Sequence, residues 1–238
     1  MPPELRRRGS IFRAIVALSL VSVVPGCAPR NVAPPVPVAD QHVAVGALLG
    51  RSGAYLTVDD AASRVEVVTA AMPGVLYRVT TPADSGLEPR VTSENGQVRA
   101  RLVPTGGDGP DEVRIVLNRD VRWAISLPAG AGEQQLDLRR GWVSRVDLGA
   151  SGLVELRLPP PSGTVPITLA GAVGSLVLTG SPLRVELGQG AGFAELPWVS
   201  GQAIPPRTVV QTPGWITFPD RYAVSTRSTI GSLTVRDD

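Results

Sequence analysis

The chain has 238 residues, and its hydrophobic share of 43% beside a charged share of 18% is typical of a folded protein. Its 26 glycines and 23 prolines are spread along the sequence, which excludes a helical bundle because both residue types interrupt helices. One histidine and one cysteine exclude histidine-based catalytic triads, Cys–His dyads and zinc sites with several ligands. We therefore expect neither a metal ion nor a cofactor.

Residues 1–26 have the pattern of a secretory signal peptide. Arg6, Arg7 and Arg8 supply positive charge, and residues 14–24 form an uncharged, mostly apolar run that contains two serines. That run is too short to cross a bilayer as a helix, which takes about 20 residues. It has the length of the apolar region of a signal peptide.

The end of this segment resembles the lipobox of bacterial lipoproteins. Its residues are Val24, Pro25, Gly26 and Cys27, the single cysteine of the chain. The resemblance implies a diacylglycerol on the Cys27 thiol, a further acyl chain such as palmitate on its amine, and cleavage just before it. It also implies an extracytoplasmic protein anchored to the outer face of the bacterial cell membrane. The alternative is a secreted protein whose cysteine lies at this place by chance.

Cleavage would also change the charge of the chain. Residues 1–26 hold four of the 23 basic and one of the 21 acidic residues, so the remainder has a formal charge of −1. This balance predicts no general attraction to nucleic acid. Residues 27–41 are predicted to form the lipidated cysteine and a proline-rich tether, and residues 42–238 a single folded domain.

The domain is predicted to consist of short strands. From Trp123 onward, apolar residues alternate in bursts that are separated by glycine- or proline-containing turns. The last apolar residues of these bursts follow one another at intervals of nine to eleven positions: Leu127, Leu138, Leu148, Leu158, Leu169, Leu178 and Leu187. We interpret the spacing as an all-β, single-stranded β-solenoid-like ladder, with an antiparallel β-sandwich as the alternative.

Strands are also expected on both sides of this regular region. Before it, the predicted strands are residues 54–58, 64–68, 76–80, 97–103 and 112–117. After it, residues 197–219 are expected to be irregular, and strands follow at 221–226 and 232–236.

The same region resembles the bacterial adhesin-like, toast-rack β-solenoid domains of LiaF/LiaG-type envelope proteins. The resemblance covers residues 110–238 and extends to 55–110. It is carried by residues 121–128, 136–138, 146–148, 156–165, 188–192, 222 and 230–235. It implies a fold without established catalytic residues. Some relatives are attached to transmembrane helices and modulate envelope stress signalling, a role that transfers poorly to a chain with a lipid anchor.

Aromatic residues are concentrated near the C-terminus of a chain in which only 4% of residues are aromatic. One interpretation is a ligand patch of Trp198, Trp215 and Tyr222, since such side chains stack on sugars and anchor protein interfaces. The other, which we favour, is a cap that covers the end of the solenoid.

Three sets of polar or charged side chains are candidates for chemistry or binding. The acidic residues Asp108, Asp111 and Glu112 match no known calcium loop and are expected to be solvated. The pair Arg139–Arg140 beside Trp142 is too small for a nucleic-acid or glycan groove by itself. Outward carboxylates alternating with arginines are expected to form ion pairs between coils rather than a glycosidase site: Asp137, Asp147, Glu155 and Glu186 with Arg139, Arg145, Arg157 and Arg184.

The sequence therefore predicts a lipid-anchored envelope protein that displays a non-catalytic β-solenoid. The domain would serve binding, or act as a structural or signalling accessory to an envelope protein. Two alternatives remain open at this point, a carbohydrate or cell-wall glycan binding module and a surface glycan hydrolase.

Overall fold

A computed structural model describes residues 41–237 of the chain, and the predicted signal peptide, Cys27 and most of the tether lie outside this range. Within it there are 19 strands and one short 3-10 helix, Trp215–Thr217. The strands are β1 (Gln41–Ala47), β2 (Gly53–Val58), β3 (Ala62–Ala70), β4 (Val75–Pro82), β5 (Leu87–Glu94), β6 (Gln97–Pro104), β7 (Glu112–Asn118), β8 (Arg122–Leu127), β9 (Ala131–Asp137), β10 (Trp142–Leu148), β11 (Ser151–Arg157), β12 (Thr164–Leu169), β13 (Val173–Thr179), β14 (Leu183–Leu187), β15 (Ala191–Leu196), β16 (Val199–Ile204), β17 (Thr208–Gln211), β18 (Arg221–Thr226) and β19 (Ile230–Arg236).

These strands form two sheets. The ten-stranded sheet has the order β1-β4-β7-β3-β9-β11-β13-β19-β15-β16, and the nine-stranded sheet has the order β17-β14-β18-β12-β10-β8-β2-β6-β5. In the central part of both sheets, neighbouring strands are parallel. The all-β prediction is confirmed.

The parallel register identifies the architecture as a β-solenoid. Leu156 pairs with Leu136 on one side and with Leu178 on the other, so the chain returns to the same position after 20 and 22 residues. Each coil gives one strand to each sheet, as β8 and β9 do. The intervals of nine to eleven residues in the sequence are therefore half-coils, and hairpins of a sandwich would instead have made neighbouring strands antiparallel.

The coils do not stack in the order of the chain. The last coil, β18–β19, lies between the coils β12–β13 and β14–β15. At the other end, β2–β3 lies between β6–β7 and β8–β9. Simple sequential stacking, as the regular spacing suggests, is therefore wrong at both ends.

Antiparallel strands cover the two ends of the solenoid. Strands β1, β4 and β5 do so at one end, and β16 and β17 at the other. The expectation that residues 197–219 are irregular is wrong, because they contain β16, β17 and the 3-10 helix. We call residues 197–219 the C-terminal cap.

The core lies between the sheets and is built from alternate residues of each strand. Leu136, Leu156, Leu178 and Val235 follow one another along the ten-stranded sheet and are each at most 4% exposed. Trp123 is fully buried, and its indole Nε1 donates a hydrogen bond of 2.9 Å to the carbonyl oxygen of Asn118. Narrow layers of Leu and Val thus form one continuous core.

A column of glycines runs along the ten-stranded sheet. Each glycine is the second residue of its strand, and a Cβ atom on it would lie within 3.0 Å of a main-chain oxygen of the neighbouring strand. The column consists of Gly132, Gly152, Gly174, Gly231 and Gly192. These five glycines lie inside strands, where neighbouring strands approach each other too closely for a side chain.

Candidate ligand-binding groove

A groove of ≈ 470 Å³ lies at one corner of the solenoid, where strands of the nine-stranded sheet begin. Four successive neighbours in that sheet, β8, β10, β12 and β18, supply its walls directly or through the turns that precede them. The side chains used below are Arg122, Arg140, Trp142, Pro160, Pro161 and Asp220. Cavities of about 300–1,000 Å³ are typical of small-ligand sites.

Trp142 is the aromatic side chain that lines the groove. It is 60% exposed, whereas Val143, the next residue along β10, is 5% exposed. Because side chains of a strand alternate between its faces, burial of Val143 in the core directs Trp142 outward. Trp142 pairs with Arg122 in the parallel ladder of β10 and β8, so these two outward side chains lie on neighbouring strands about 4.8 Å apart.

Arginine residues make the groove electropositive. Arg122, Arg139 and Arg140 line it with one carboxylate, that of Asp220. Asp220 accepts a hydrogen bond of 2.6 Å from the main-chain N–H of Gly163, and this bond fixes the proline-rich loop in front of β12. The groove therefore has an excess of positive charge at neutral pH.

The side chain of Arg139 is bound by Asp137, the last residue of β9. Its Nε and Nη2 atoms donate to the two carboxylate oxygens of Asp137 at 3.0 and 2.6 Å. These hydrogen bonds lower the pKa of Asp137, and their effect exceeds the opposite effect of partial burial. Asp137 thus stays ionised and positions the turn that carries Arg139 and Arg140.

The predicted ligand patch near the C-terminus is largely buried. Tyr222 is 0% exposed and Trp215 is 8% exposed, while Trp198 is partly buried against the core. Trp215 and Trp198 belong to the C-terminal cap, and Tyr222 lies in the inserted strand β18. Their burial favours the capping interpretation for these side chains. Cys27, the predicted lipid attachment site, lies outside the described residues.

The outward carboxylates form ion pairs, as expected. The shortest distances are 2.6 Å for Asp137–Arg139, 2.5 Å for Asp147–Arg145, 2.6 Å for Glu155–Arg157 and 3.6 Å for Glu186–Arg184. These ion pairs were expected to join neighbouring coils. That expectation is wrong for these four pairs, because each joins residues two positions apart in the chain. One of these arginines also reaches the neighbouring coil, at 3.9 Å between Arg157 and Asp137.

Metal-ligating side chains are not gathered within residues 41–237. No group of three or more His, Cys, Asp or Glu side chains in this range could hold a metal ion. In the same range, the chain forms no helix that has both the length and the apolar character needed to cross a bilayer.

The sequence signal for the groove was present but incomplete. Arg139, Arg140 and Trp142 lie close together in the chain and were expected to be too few for a groove by themselves. The structure adds Arg122 and the Pro160–Pro161 loop, which belong to other coils. Only the parallel register brings these elements to one corner.

The fold is similar to that of proteins of known structure. A protein of Clostridium sporogenes ATCC 15579, described as a "putative cell adhesion protein", has a TM-score of 0.64 and 13% sequence identity over 84% of this chain and 99% of that chain. A "putative adhesin" of Bacteroides fragilis NCTC 9343 covers the same shares with 6% identity, but its TM-score of 0.29 carries no argument. No protein-family model and no curated protein matches the chain. The comparison with the C. sporogenes protein shows a shared fold, while the resemblance to LiaF/LiaG-type domains stays a prediction.

Proposed function

We propose that this chain is a lipoprotein of the bacterial cell envelope that holds its β-solenoid outside the membrane as a non-catalytic binding domain. The observation that supports the binding role is the corner groove, where an exposed tryptophan and arginines meet without contributing to the core. The name of the C. sporogenes neighbour, a cell adhesion protein, agrees with a surface role. A role as a structural or signalling accessory would also be served by a β-solenoid that is held outside the membrane.

The anchoring part of the proposal rests on Cys27 and on the proline-rich residues after it. Two acyl chains on the glycerol, and a third on the amine, bind a bilayer stably because each buried methylene adds about 0.8 kcal/mol. The tether then separates the domain from the lipid headgroups, at up to about 3.1 Å for each extended residue.

The anchor is tested in cells that express the full chain and are labelled with radioactive palmitate. We expect label on the natural chain, none on Cys27→Ser, and release of that variant from the membrane fraction. Arg30→Gln, a change in the tether, is the matched control and should keep both label and membrane association. A Cys27→Ser chain that stays on the membrane would contradict the anchor.

A carbohydrate or cell-wall glycan binding module is the second candidate. Its specific support is Trp142, since a flat, exposed aromatic ring offers a stacking surface for a sugar. The aromatic residues of the C-terminal region, on which the sequence placed this function, do not offer such a surface where they are buried.

We assign no hydrolytic step to the domain. A glycosidase needs one carboxylic acid whose pKa is raised so that it can donate a proton. The outward carboxylates instead face arginine side chains, and the pKa of Asp137 is lowered by Arg139. Ion pairing of this kind stabilises carboxylates in their ionised form, which is the opposite of what a general acid requires.

A further inference from the structure

We propose that the corner groove binds a carboxylate-bearing polysaccharide of the uronic-acid type, with Trp142 as the stacking surface and Arg122 and Arg140 as the carboxylate ligands. This inference rests on the proposed binding function and names the ligand class of that same site. It follows from four properties of the groove, namely its apolar surface, its excess of positive charge, its extension along four neighbouring strands and its position away from the sheet edges.

The apolar surface consists of Trp142 and the proline-rich loop in front of β12. Trp142 is 60% exposed at the start of β10 and is not part of the core, and it lines the groove together with Pro160 and Pro161. Proline side chains are rigid and their nitrogen carries no hydrogen-bond donor. The groove thus offers flat apolar faces, which suit the C–H face of a sugar ring better than a polar peptide backbone.

The excess of positive charge comes from Arg122 and Arg140, which share the groove with one carboxylate, that of Asp220. Among residues 41–237, neither guanidinium forms an ion pair. Nη2 of Arg122 donates a hydrogen bond of 3.5 Å to a neutral acceptor, the carbonyl oxygen of Ser162. A guanidinium group binds a carboxylate through two parallel hydrogen bonds, so a carboxylate beside an apolar ring completes the groove.

The arrangement along the solenoid favours a linear ligand. The groove passes the beginnings of four neighbouring strands, β8, β10, β12 and β18, which at about 4.8 Å between strands extends over about 14 Å. A short extended run of sugar rings could lie along this line. The ring over Trp142 would then place its carboxylate near the guanidinium groups.

A peptide that adds a strand is disfavoured at this place. The strands β8, β10, β12 and β18 have hydrogen-bonded neighbours on both sides, so none of them offers a free edge. The edge strands of the two sheets are β1, β16, β17 and β5, at the ends of the solenoid. Recognition of an extended peptide by strand addition needs such an edge.

Isothermal titration of the protein with oligogalacturonate tests the proposal. The methyl ester of the same oligosaccharide keeps the rings and removes the charge. We expect the acid to bind at least about fivefold more tightly than the ester, because charge-assisted hydrogen bonds are about twice as strong as neutral ones. Trp142→Ala should weaken binding of both forms, whereas Arg140→Gln should weaken only that of the acid.

Two variants outside the groove serve as controls. Phe193→Ala removes an aromatic side chain that is 37% exposed on β15, and Arg78→Gln removes an exposed charge on β4. Both should bind the acid like the natural protein. Thermal melting of all variants verifies that they are folded, and Trp142 and Arg140 are exposed enough for their substitution to leave the fold intact.

Several results would overturn the proposal. Equal affinity for acid and ester would exclude carboxylate recognition, and undiminished binding by Trp142→Ala would place the sugar elsewhere. Absence of oligogalacturonate binding would reject the uronic-acid class, while palmitate labelling of Cys27 would still support the proposed display at the membrane. Stronger binding of poly-glutamate than of oligogalacturonate would reassign the groove to an acidic peptide.

Discussion

The indole Nε1 of Trp215 donates a hydrogen bond of 3.0 Å to the main-chain carbonyl oxygen of Tyr222, which joins the C-terminal cap to the inserted strand β18. The guanidinium of Arg221 lies 4.2 Å from the centre of the Trp215 ring, within the range of a cation–π interaction. The hydroxyl of Tyr222 donates in turn to the carbonyl oxygen of Pro159. Two residues that the sequence suggested for a ligand patch thus connect the cap, the last coil and the loop in front of β12.

Substitution of Trp215 should therefore lower the free energy of unfolding strongly, whereas substitution of Trp142 should leave it almost unchanged. Removing a buried tryptophan side chain costs about 3–5 kcal/mol, and here the carbonyl oxygen of Tyr222 also loses its donor. We expect Trp215→Ala to lower the free energy of unfolding by about 3 kcal/mol. Urea denaturation at neutral pH measures it.

Trp142→Ala is the matched control for this substitution, because the side chain is of the same type but 60% exposed. Its free energy of unfolding should stay within about 0.5 kcal/mol of the natural value. A large loss in Trp142→Ala, or none in Trp215→Ala, would contradict the division between a binding surface and a cap.

The glycine column gives a second matched pair. A Cβ atom at Gly174 would lie 2.6 Å from the carbonyl oxygen of Gly152, and main-chain atoms of a paired strand cannot move away cheaply. A Cβ atom at Gly53 of β2 would have its nearest neighbour at 3.7 Å, an ordinary contact. We expect Gly174→Ala to lower the free energy of unfolding by about 2 kcal/mol or more, as overpacking does.

Gly53→Ala should change stability little or raise it slightly, because alanine restricts the unfolded chain. Thermal unfolding of both variants, followed by circular dichroism, distinguishes the two effects. Similar melting temperatures for the two variants would show that the strands are not as closely spaced at the column as the structure has them.

Loss of the last coil should also disorder the coil β14–β15, which stacks on it. A chain that stops after Asp220 lacks β18 and β19, the parallel neighbours of β12, β13, β14 and β15. We expect this chain to lose the ordered coil β14–β15 as well, seen as fast amide hydrogen exchange there. A chain that stops after Arg236 keeps β19 and is the control.

In a solenoid with sequential stacking, the same truncation would remove only the terminal coil. Protected amides in β14 and β15 of the shortened chain would thus contradict the inserted position of β18–β19. Protection in β10 and β11, which have their own neighbours, is expected to persist in both chains.

Acid should weaken the turn between β2 and β3. The main-chain N–H of Leu102 donates to Asp60 at 2.9 Å, and this hydrogen bond, with smaller contributions from Arg101, lowers the pKa of Asp60 despite some desolvation. A carboxyl whose pKa is lower in the folded than in the unfolded state stabilises the fold above its unfolded pKa of about 3.9, and this stability is lost as the pH falls through the folded pKa.

Urea midpoints measured between neutral pH and strongly acidic pH test this effect. Asp60→Asn should lose stability at neutral pH and show a weaker decline in acid than the natural protein. Arg101→Gln keeps the Leu102 hydrogen bond and should show the smaller change. An unchanged acid decline in Asp60→Asn would contradict the assignment.

Part of the glycine column was readable in the sequence. A small or apolar residue followed by a glycine recurs at residues 131–136, 151–156, 173–178, 191–196 and 230–235. In all of these segments except 131–136, the fourth and sixth residues are both apolar. The segments 191–196 in β15 and 230–235 in β19 carry similar motifs, so local pattern could not say which of them stacks on 173–178. Strands of similar length and similar apolar faces compete for the same neighbour.

The groove was only partly predictable for a related reason. The turn with Arg139, Arg140 and Trp142 is a local feature, and its pattern of charge and aromatic character can be found in one stretch of sequence. Arg122 and Pro160 lie about one coil before and after it, and the sequence does not state the register that aligns them. The sequence also offered a second candidate surface, the aromatic residues near the C-terminus. In the fold, Trp198 and Trp215 belong to the C-terminal cap.

The sequence by itself determined that the chain is all-β, with short strands at half-coil spacing, because the alternation of buried and exposed side chains is a property of each strand alone. It also determined the lipobox-like segment at Cys27. Only the tertiary structure decided the insertion of β18–β19, which pairs Thr164 with Arg221 across 57 positions, and the meeting of Trp142 with Arg122. Such pairings depend on the packing of whole coils, since many distant strands fit one another locally and only the assembled core selects among them.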